Sequence, residues 1–134
     1  MFTQHGNSSE GLVKAILSGD FPGVLDITFA TVDVRDAAEG HLEAMLRPEA
    51  NGRRYILAGN QLSMKDLAQT LSDNYASKGY KINLDQISKE EAQKSEHPMI
   101  KRMIPQIGTK MMFNNERSIK ELGLKYINIK DTIV

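Results

Sequence analysis

The sequence predicts an α/β fold, and three observations carry that prediction. Residues 27 to 34, Ile-Thr-Phe-Ala-Thr-Val-Asp-Val, alternate and are rich in β-branched side chains, as a strand requires. A helical pattern follows at once, and an extended run from 53 to 57 then completes a strand–helix–strand order with loops of about five residues, the arrangement of a parallel α/β unit. Residues 63 to 76 keep helical spacing throughout, with Met64, Leu67, Ala68, Leu71 and Tyr75 on one face.

The elements follow in chain order. A first helix over 8 to 18 is capped by Asn7 or Ser8, places Leu12, Val13, Ile16 and Leu17 on one face, and stops at Gly19. Residues 19 to 23 form a turn, since Pro22 fixes φ and the flanking glycines relax it. After the strand, Asp36 and Glu39 make a capping-box-like pair, and Ala37, Ala38, His41, Leu42 and Met45 form the apolar face of a helix that Pro48 stops. Asn51-Gly52 turns the chain into a second strand, 53 to 57, which ends by Gly59. Ser63, with Asp66 three residues on, caps the third helix, and Gly79 ends it. Residues 80 to 97 are polar and carry no assignable element. Pro98 opens a short helix bearing Met99, Ile100, Met103 and Ile104, which closes near Pro105. Another helix runs from 115 to 122, with Gly123 at its stop and Leu124 placed for an apolar contact. Residues 129 to 134 begin one more helical pattern.

Composition narrows the function. A length of 134 residues fits one domain or a piece of a larger one. Seventeen basic side chains balance seventeen acidic ones, which removes the driving force for nucleic-acid or membrane-surface binding. No cysteine is present, so disulfides, thiolate metal sites and cysteine catalysis are excluded. No apolar run is long enough to span a bilayer and no leader pattern opens the chain, so a cytoplasmic location is expected.

No complete active site is legible. Neither the dinucleotide fingerprint nor the P-loop spacing occurs. His5, His41 and His97 lack metal-ligand spacing, so no metal site is expected. His5 reads as solvated, and His41, on a helix face, as a structural histidine. Tyr126 and Lys130 match a Tyr-x-x-x-Lys spacing, but Gly123 ends the preceding helix, whereas that chemistry needs both residues on one continuous helix. Asp33, Arg35 and Asp36 form the densest charge cluster at a strand end, read as a helix cap with an Arg–carboxylate pair rather than a ligand-facing edge. Arg53-Arg54 could clamp a phosphate, but alternation along a strand would send them to opposite faces, which favours a surface role.

Four blocks, in order, carry a resemblance. They are Phe29-Ala-Thr-Val-Asp-Val-Arg-Asp-Ala-Ala-Glu-Gly-His-Leu-Glu-Ala-Met45, Pro48-Glu-Ala-Asn-Gly-Arg-Arg-Tyr-Ile-Leu57, Leu62-Ser-Met-Lys-Asp-Leu-Ala68 and Asn115-Glu-Arg-Ser-Ile-Lys-Glu-Leu-Gly123. Together they resemble the C-terminal portion of the extended short-chain dehydrogenase/reductases, most closely the dihydroflavonol reductase-like branch, within the NAD-dependent epimerase/dehydratase superfamily. The resemblance spans residues 8 to 134. It implies the C-terminal part of a Rossmann-type fold, a late sheet strand plus a small substrate-binding lobe with an incomplete parallel sheet. Residues 1–26 would be an opening helix and turn, 27–59 the cleft-side strand–helix–strand, and 60–134 the small helical lobe.

The implied activity of the intact relatives is NADP(H)-dependent reduction of a small ketone or aldehyde, a hydride passing to the carbonyl carbon while a tyrosine protonates the oxygen. The family's glycine-rich cofactor loop and its Tyr-x-x-x-Lys pair precede the matching stretch and are not found here, so no catalytic residue carries over. Phe29, Ala30 and Thr31 are implied on the substrate side, and Ser8 and Ser9 near the reactive end of NADP. Two other readings stand beside this one: a non-catalytic binding module derived from such a reductase, and a fragment of a nucleotide-sugar epimerase or dehydratase. Val32, Val34, Ile56 and Leu57 would normally be covered by the absent half, which predicts self-association or a complementing chain at that surface.

Overall fold

The computed structural model describes residues 9–110 and 112–133. Seven α-helices and a two-stranded sheet are found among them, so the α/β class stands. The chain divides into two compact units: residues 9–27 with Ser63–Thr109, and Thr28–Leu62 with the described residues from Lys110 onward.

In the first unit, α1 is Ser9–Ser18 and buries Leu12 and Ile16. Its expected caps, Asn7 and Ser8, lie outside the described residues, as does His5. Gly19, at φ +78°, closes the helix in the left-handed conformation. The turn then drives Phe21, Val24, Leu25 and Ile27 into the core. Gly23 is needed there because a Cβ would stand 2.4 Å from the Asp85 carbonyl oxygen. Val24 donates to that same oxygen at 2.8 Å and accepts from Ile87 N–H at 2.8 Å, which fixes the otherwise irregular 80–88 stretch.

Helix α3, Met64–Tyr75, starts where Ser63 Oγ accepts from Asp66 N–H, and it buries Met64, Leu67, Ala68 and Leu71 as the spacing predicts. The polar stretch 80–97 does contain a helix, α4, Lys89–Lys94, opened by a reciprocal capping box between Ser88 and Glu91. Helix α5, Pro98–Met103, buries Ile100 and continues into a 3-10 turn, Ile104–Gln106. His97 caps α5 from a half-buried position, with its ring edge-on to Phe21 at 5.5 Å.

The second unit starts with β1, Thr28–Thr31, which is shorter than the predicted 27 to 34. Val32 and Asp33 form the turn, and Val34 is the first residue of α2, Val34–Leu46. The cap is Asp33 rather than Asp36, because its extended backbone aims the carboxylate at the first free N–H groups. The buried face of α2 also differs from the predicted one. Asp36 and Gly40 face inward, while Leu42, Met45 and Leu46 are exposed. Gly40 sets this orientation: a Cβ there would meet the Leu57 methyls at 2.8 Å and Leu124 at 3.2 Å, so only glycine lets the helix sit so close.

The second strand, β2, is Asn60–Ser63 and not 53 to 57. Residues 53–57 form no ladder among the described residues and so are not a strand. Thr31 O accepts from Gly59 N–H at 2.9 Å and Ile27 O from Met64 N–H at 3.0 Å, so the β1–β2 pairing runs antiparallel rather than as the parallel unit expected. The core of this unit is Ala50, Leu122 and Leu124, with Ala44, Tyr55, Leu57 and Tyr126 packed against it. Helix α6, Glu116–Leu122, ends at Gly123 (φ +75°), whose N–H donates to Ile119 O, and Leu124 is buried as predicted. Helix α7, Ile129–Ile133, closes the chain.

Candidate substrate-side site

The turn from β1 into α2 carries the charge cluster of Asp33, Arg35 and Asp36, and its chemistry starts with Asp33. Oδ1 accepts from Arg35 N–H at 2.8 Å and from Arg35 Nε at 2.9 Å. Oδ2 accepts from Arg35 Nη2 at 2.8 Å and from Thr132 Oγ1 at 2.9 Å. The carboxylate is 4% exposed, and the Arg35 hydrogen bonds hold its pKa well below the usual carboxylate range. Asp36, equally buried, accepts from Ile127 N–H at 2.9 Å, and Asn60 Nδ2 donates to Ile127 O at 2.9 Å. The cluster therefore clamps the C-terminal segment onto α2. A general base needs an accessible lone pair and a pKa near the working pH; Asp33 has neither, so the structural reading of this cluster holds.

Of the residues placed on the substrate side, Phe29 is half-buried, Ala30 exposed, and Thr31 half-buried with Oγ1 donating to Asn60 O at 3.1 Å. Alternation puts Phe29 and Thr31 on one face of β1 and Ala30 on the other. Ser9 is the exposed first residue of α1, in the first unit, and Ser8 lies outside the described residues. His41 is exposed and hydrogen-bonded to Ala37 O at 2.7 Å, a helix-surface role. Tyr126 precedes α7, so it shares no continuous helix with Lys130; its hydroxyl pairs instead with Ser118 Oγ at 2.8 Å.

The described residues do not fit a dinucleotide pyrophosphate. The β1-to-α2 turn has a carboxylate at the helix N-terminus, and β2 runs straight into α3, whose N-terminus the Ser63 hydroxyl caps, whereas a phosphate would need bare N–H groups. The described glycines with positive φ stand at helix ends or in tight turns, at 19, 52, 79, 108 and 123. No group of three or more His, Asp or Glu suited to a metal ion is present among the described residues.

A second polar feature was only partly visible in the sequence. Glu121 on α6 accepts from Arg53 Nη1 at 3.1 Å and from Tyr55 Oη at 2.9 Å. Partial burial, and then the Glu121 bond, raise the Tyr55 pKa; the same bond lowers that of Glu121. Beside this knot lies an open cleft of about 410 Å³, bounded by Arg54 and Ile56 and by Glu116, Arg117, Lys120 and Glu121 of α6. The i,i+4 pairs Glu116–Lys120 and Arg117–Glu121 were legible as spacings.

No protein-family profile matches the sequence. The chain is 28% identical to the NADPH-dependent methylglyoxal reductase Gre2 of Saccharomyces cerevisiae over 140 aligned positions, which take in 97% of this chain and 34% of that protein. Among solved structures, yeast methylglyoxal/isovaleraldehyde reductase Gre2 complexed with NADPH superposes with a TM-score of 0.64 at 22% identity, covering 99% of this chain and 40% of the other. A nucleoside-diphosphate-sugar epimerase from Staphylococcus aureus superposes at 0.56 and 19% identity, covering 92% and 48%. The chain thus spans about a third of the curated relative it matches.

Proposed function

We propose, from the premise that this chain carries the fold of the C-terminal third of an extended short-chain dehydrogenase/reductase, that it is the substrate-binding portion of an NADP(H)-dependent carbonyl reductase and is inactive alone. The observation that carries the reading is the asymmetry of the match. Nearly all of this chain aligns with about a third of an NADPH-dependent reductase.

The chain's own chemistry agrees. Its described residues offer no pyrophosphate cradle, and their buried carboxylates are engaged. What remains for it is shape. Phe29, with Thr31 on the same face of β1, supplies contact for a small carbonyl compound, and the Asp33–Thr132 and Asp36–Ile127 bonds hold the turn beside them. Ser9 is assigned to the cofactor side. The cofactor itself is held by further polypeptide, which docks on the apolar outer face of α2, where Val34 and Met45 are each 78% exposed.

The test is an assay of the purified chain with NADPH and methylglyoxal. No turnover and no NADPH binding are expected, and hydride transfer by the chain alone would overturn the reading. Joined to the N-terminal two-thirds of the yeast reductase, the chain should restore turnover. In that fusion Phe29→Ala should raise KM severalfold while leaving kcat in place.

A further inference from the structure

Arg53-Arg54 reads in sequence as two side chains on opposite faces of a strand. In the structure residues 53–57 belong to no strand among the described residues, yet their partners still alternate: Arg53 and Tyr55 bond Glu121, while Arg54 and Ile56 line the cleft. Arg53 reaches α6 through its side chain and Arg54 through its carbonyl. Arg53 is spent on Glu121, at 3.1 Å. Arg54 lines the 410 Å³ cleft and makes no ion pair among the described residues. Arg117 Nη1 donates to the Arg54 carbonyl at 3.4 Å, so the two arginines are adjacent, and its Nε lies 3.8 Å from Glu121, a loose pairing. Lys120 Nζ pairs with Glu116 Oε2 at 2.8 Å, an i,i+4 pair on one face of α6.

The local balance is uneven. Four cations, Arg53, Arg54, Arg117 and Lys120, gather around two carboxylates, Glu116 and Glu121, in a chain whose formal charge is zero. Both carboxylates are already engaged, Glu116 by Lys120 and Glu121 by Arg53 and Tyr55. The Arg54 guanidinium makes no ion pair among the described residues, and Arg117 is only loosely paired, so both keep donors to spare. A tetrahedral dianion would satisfy both, since a guanidinium fork matches two of its oxygens.

We propose that this cleft is a binding site for a phosphoryl group, with Arg54 and Arg117 as its forks and Lys120 as a supporting charge. Ile56, at 36% exposure on the wall, offers a surface for the carbon carrying a phosphate ester. The site is independent of the reductase reading and does not involve Phe29, Ala30 or Thr31.

The test is a titration of the whole chain with sodium phosphate at fixed ionic strength, followed by amide and arginine side-chain NMR shifts. Saturable shifts at residues 54, 117 and 120 are expected. Arg54→Gln should weaken affinity about tenfold. Its side chain forms no ion pair among the described residues, so the fold should be untouched, as the remaining amide spectrum would show. Arg117→Gln should weaken affinity similarly, and Lys65→Gln on α3 should change nothing. Methyl phosphate binding more tightly than inorganic phosphate would support an ester as the natural ligand, and equal binding would support free phosphate. Shifts that fail to saturate, shifts that sodium chloride reproduces, or an affinity that Arg54→Gln leaves unchanged would each overturn the site.

Discussion

Thr132 Oγ1 donates to Asp33 Oδ2 at 2.9 Å, so the last helix of the chain closes on the turn that starts α2, across 99 residues of sequence. The same carboxylate caps α2 through Arg35 N–H. One side chain therefore starts a helix and fastens the C-terminal segment.

This double role sets a pH dependence. In the unfolded chain the Asp33 carboxyl takes its proton near 3.8, whereas the folded state, with the Arg35 bonds, needs a far lower pH. The unfolded state then binds more protons, so the Asp33 contribution is full above that value and is lost as pH falls below it. Urea midpoints measured from neutral pH down through the carboxylate range should drop steeply at the acid end. Asp33→Asn should lower the neutral-pH midpoint and flatten that acid limb; an unchanged slope would show that the Asp33 bonds contribute nothing.

Gly23 should not tolerate a methyl group. A Cβ at that position stands 2.4 Å from a backbone oxygen, Asp85 O, which the Val24 hydrogen bond holds in place. Overpacking of this kind costs about 1–3 kcal/mol. Gly52→Ala is the contrast: its Cβ meets nothing within 4 Å, and only the φ of +71° resists it, at about 1 kcal/mol. Chemical denaturation of both variants should give that order.

Local signals were legible and partnered ones were not. The caps Ser63 and Gly123, the stripe from Met64 to Leu71 and the Pro98 helix start all depend on neighbours within one turn, and each is where the spacing placed it. The face of α2 failed because periodicity ranks apolar content. Here a glycine and an aspartate face inward, chosen by the close approach of Leu57 and by the Ile127 N–H. The run 53 to 57 failed because a strand is a property of a pair, and no pairing partner is present among the described residues. The Asp33–Arg35–Asp36 cluster was read as a cap and ion pair, and that is its role; its tie to Thr132 lies beyond any local window. For the 410 Å³ cleft, the sequence showed the arginines but not that α6 would meet them.

Helix α4 lies in the stretch that composition leaves unassigned, yet its sequence carries a capping signal. Ser88 Oγ accepts from Glu91 N–H at 3.2 Å, and Glu91 Oε2 accepts from Ser88 N–H at 2.8 Å. Six residues cannot hold a helix by propensity alone, so this reciprocal cap and the buried Ala92 sustain it. Ser88→Ala should cost about 1 kcal/mol. Amide exchange over Lys89–Lys94 should speed up while that of α3 stays slow; equal protection in the variant would assign α4 to packing alone.

The outer face of α2 should govern association. Leu42, Met45 and Leu46 are 49%, 78% and 64% exposed, and Val34 adds 78% at the first turn, while the inward face already packs. An apolar stripe of this kind drives association unless another surface covers it. Replacing both Leu42 and Met45 with Glu should leave the melting of the chain within about 0.5 kcal/mol, because neither side chain is buried. It should also suppress concentration-dependent association, which sedimentation velocity would read. In the fusion that carries a cofactor-binding half, the proposed docking on this face requires the same pair of substitutions to do the opposite and destabilise the protein. A fusion as stable as its parent would show that the face looks onto solvent even in the longer protein.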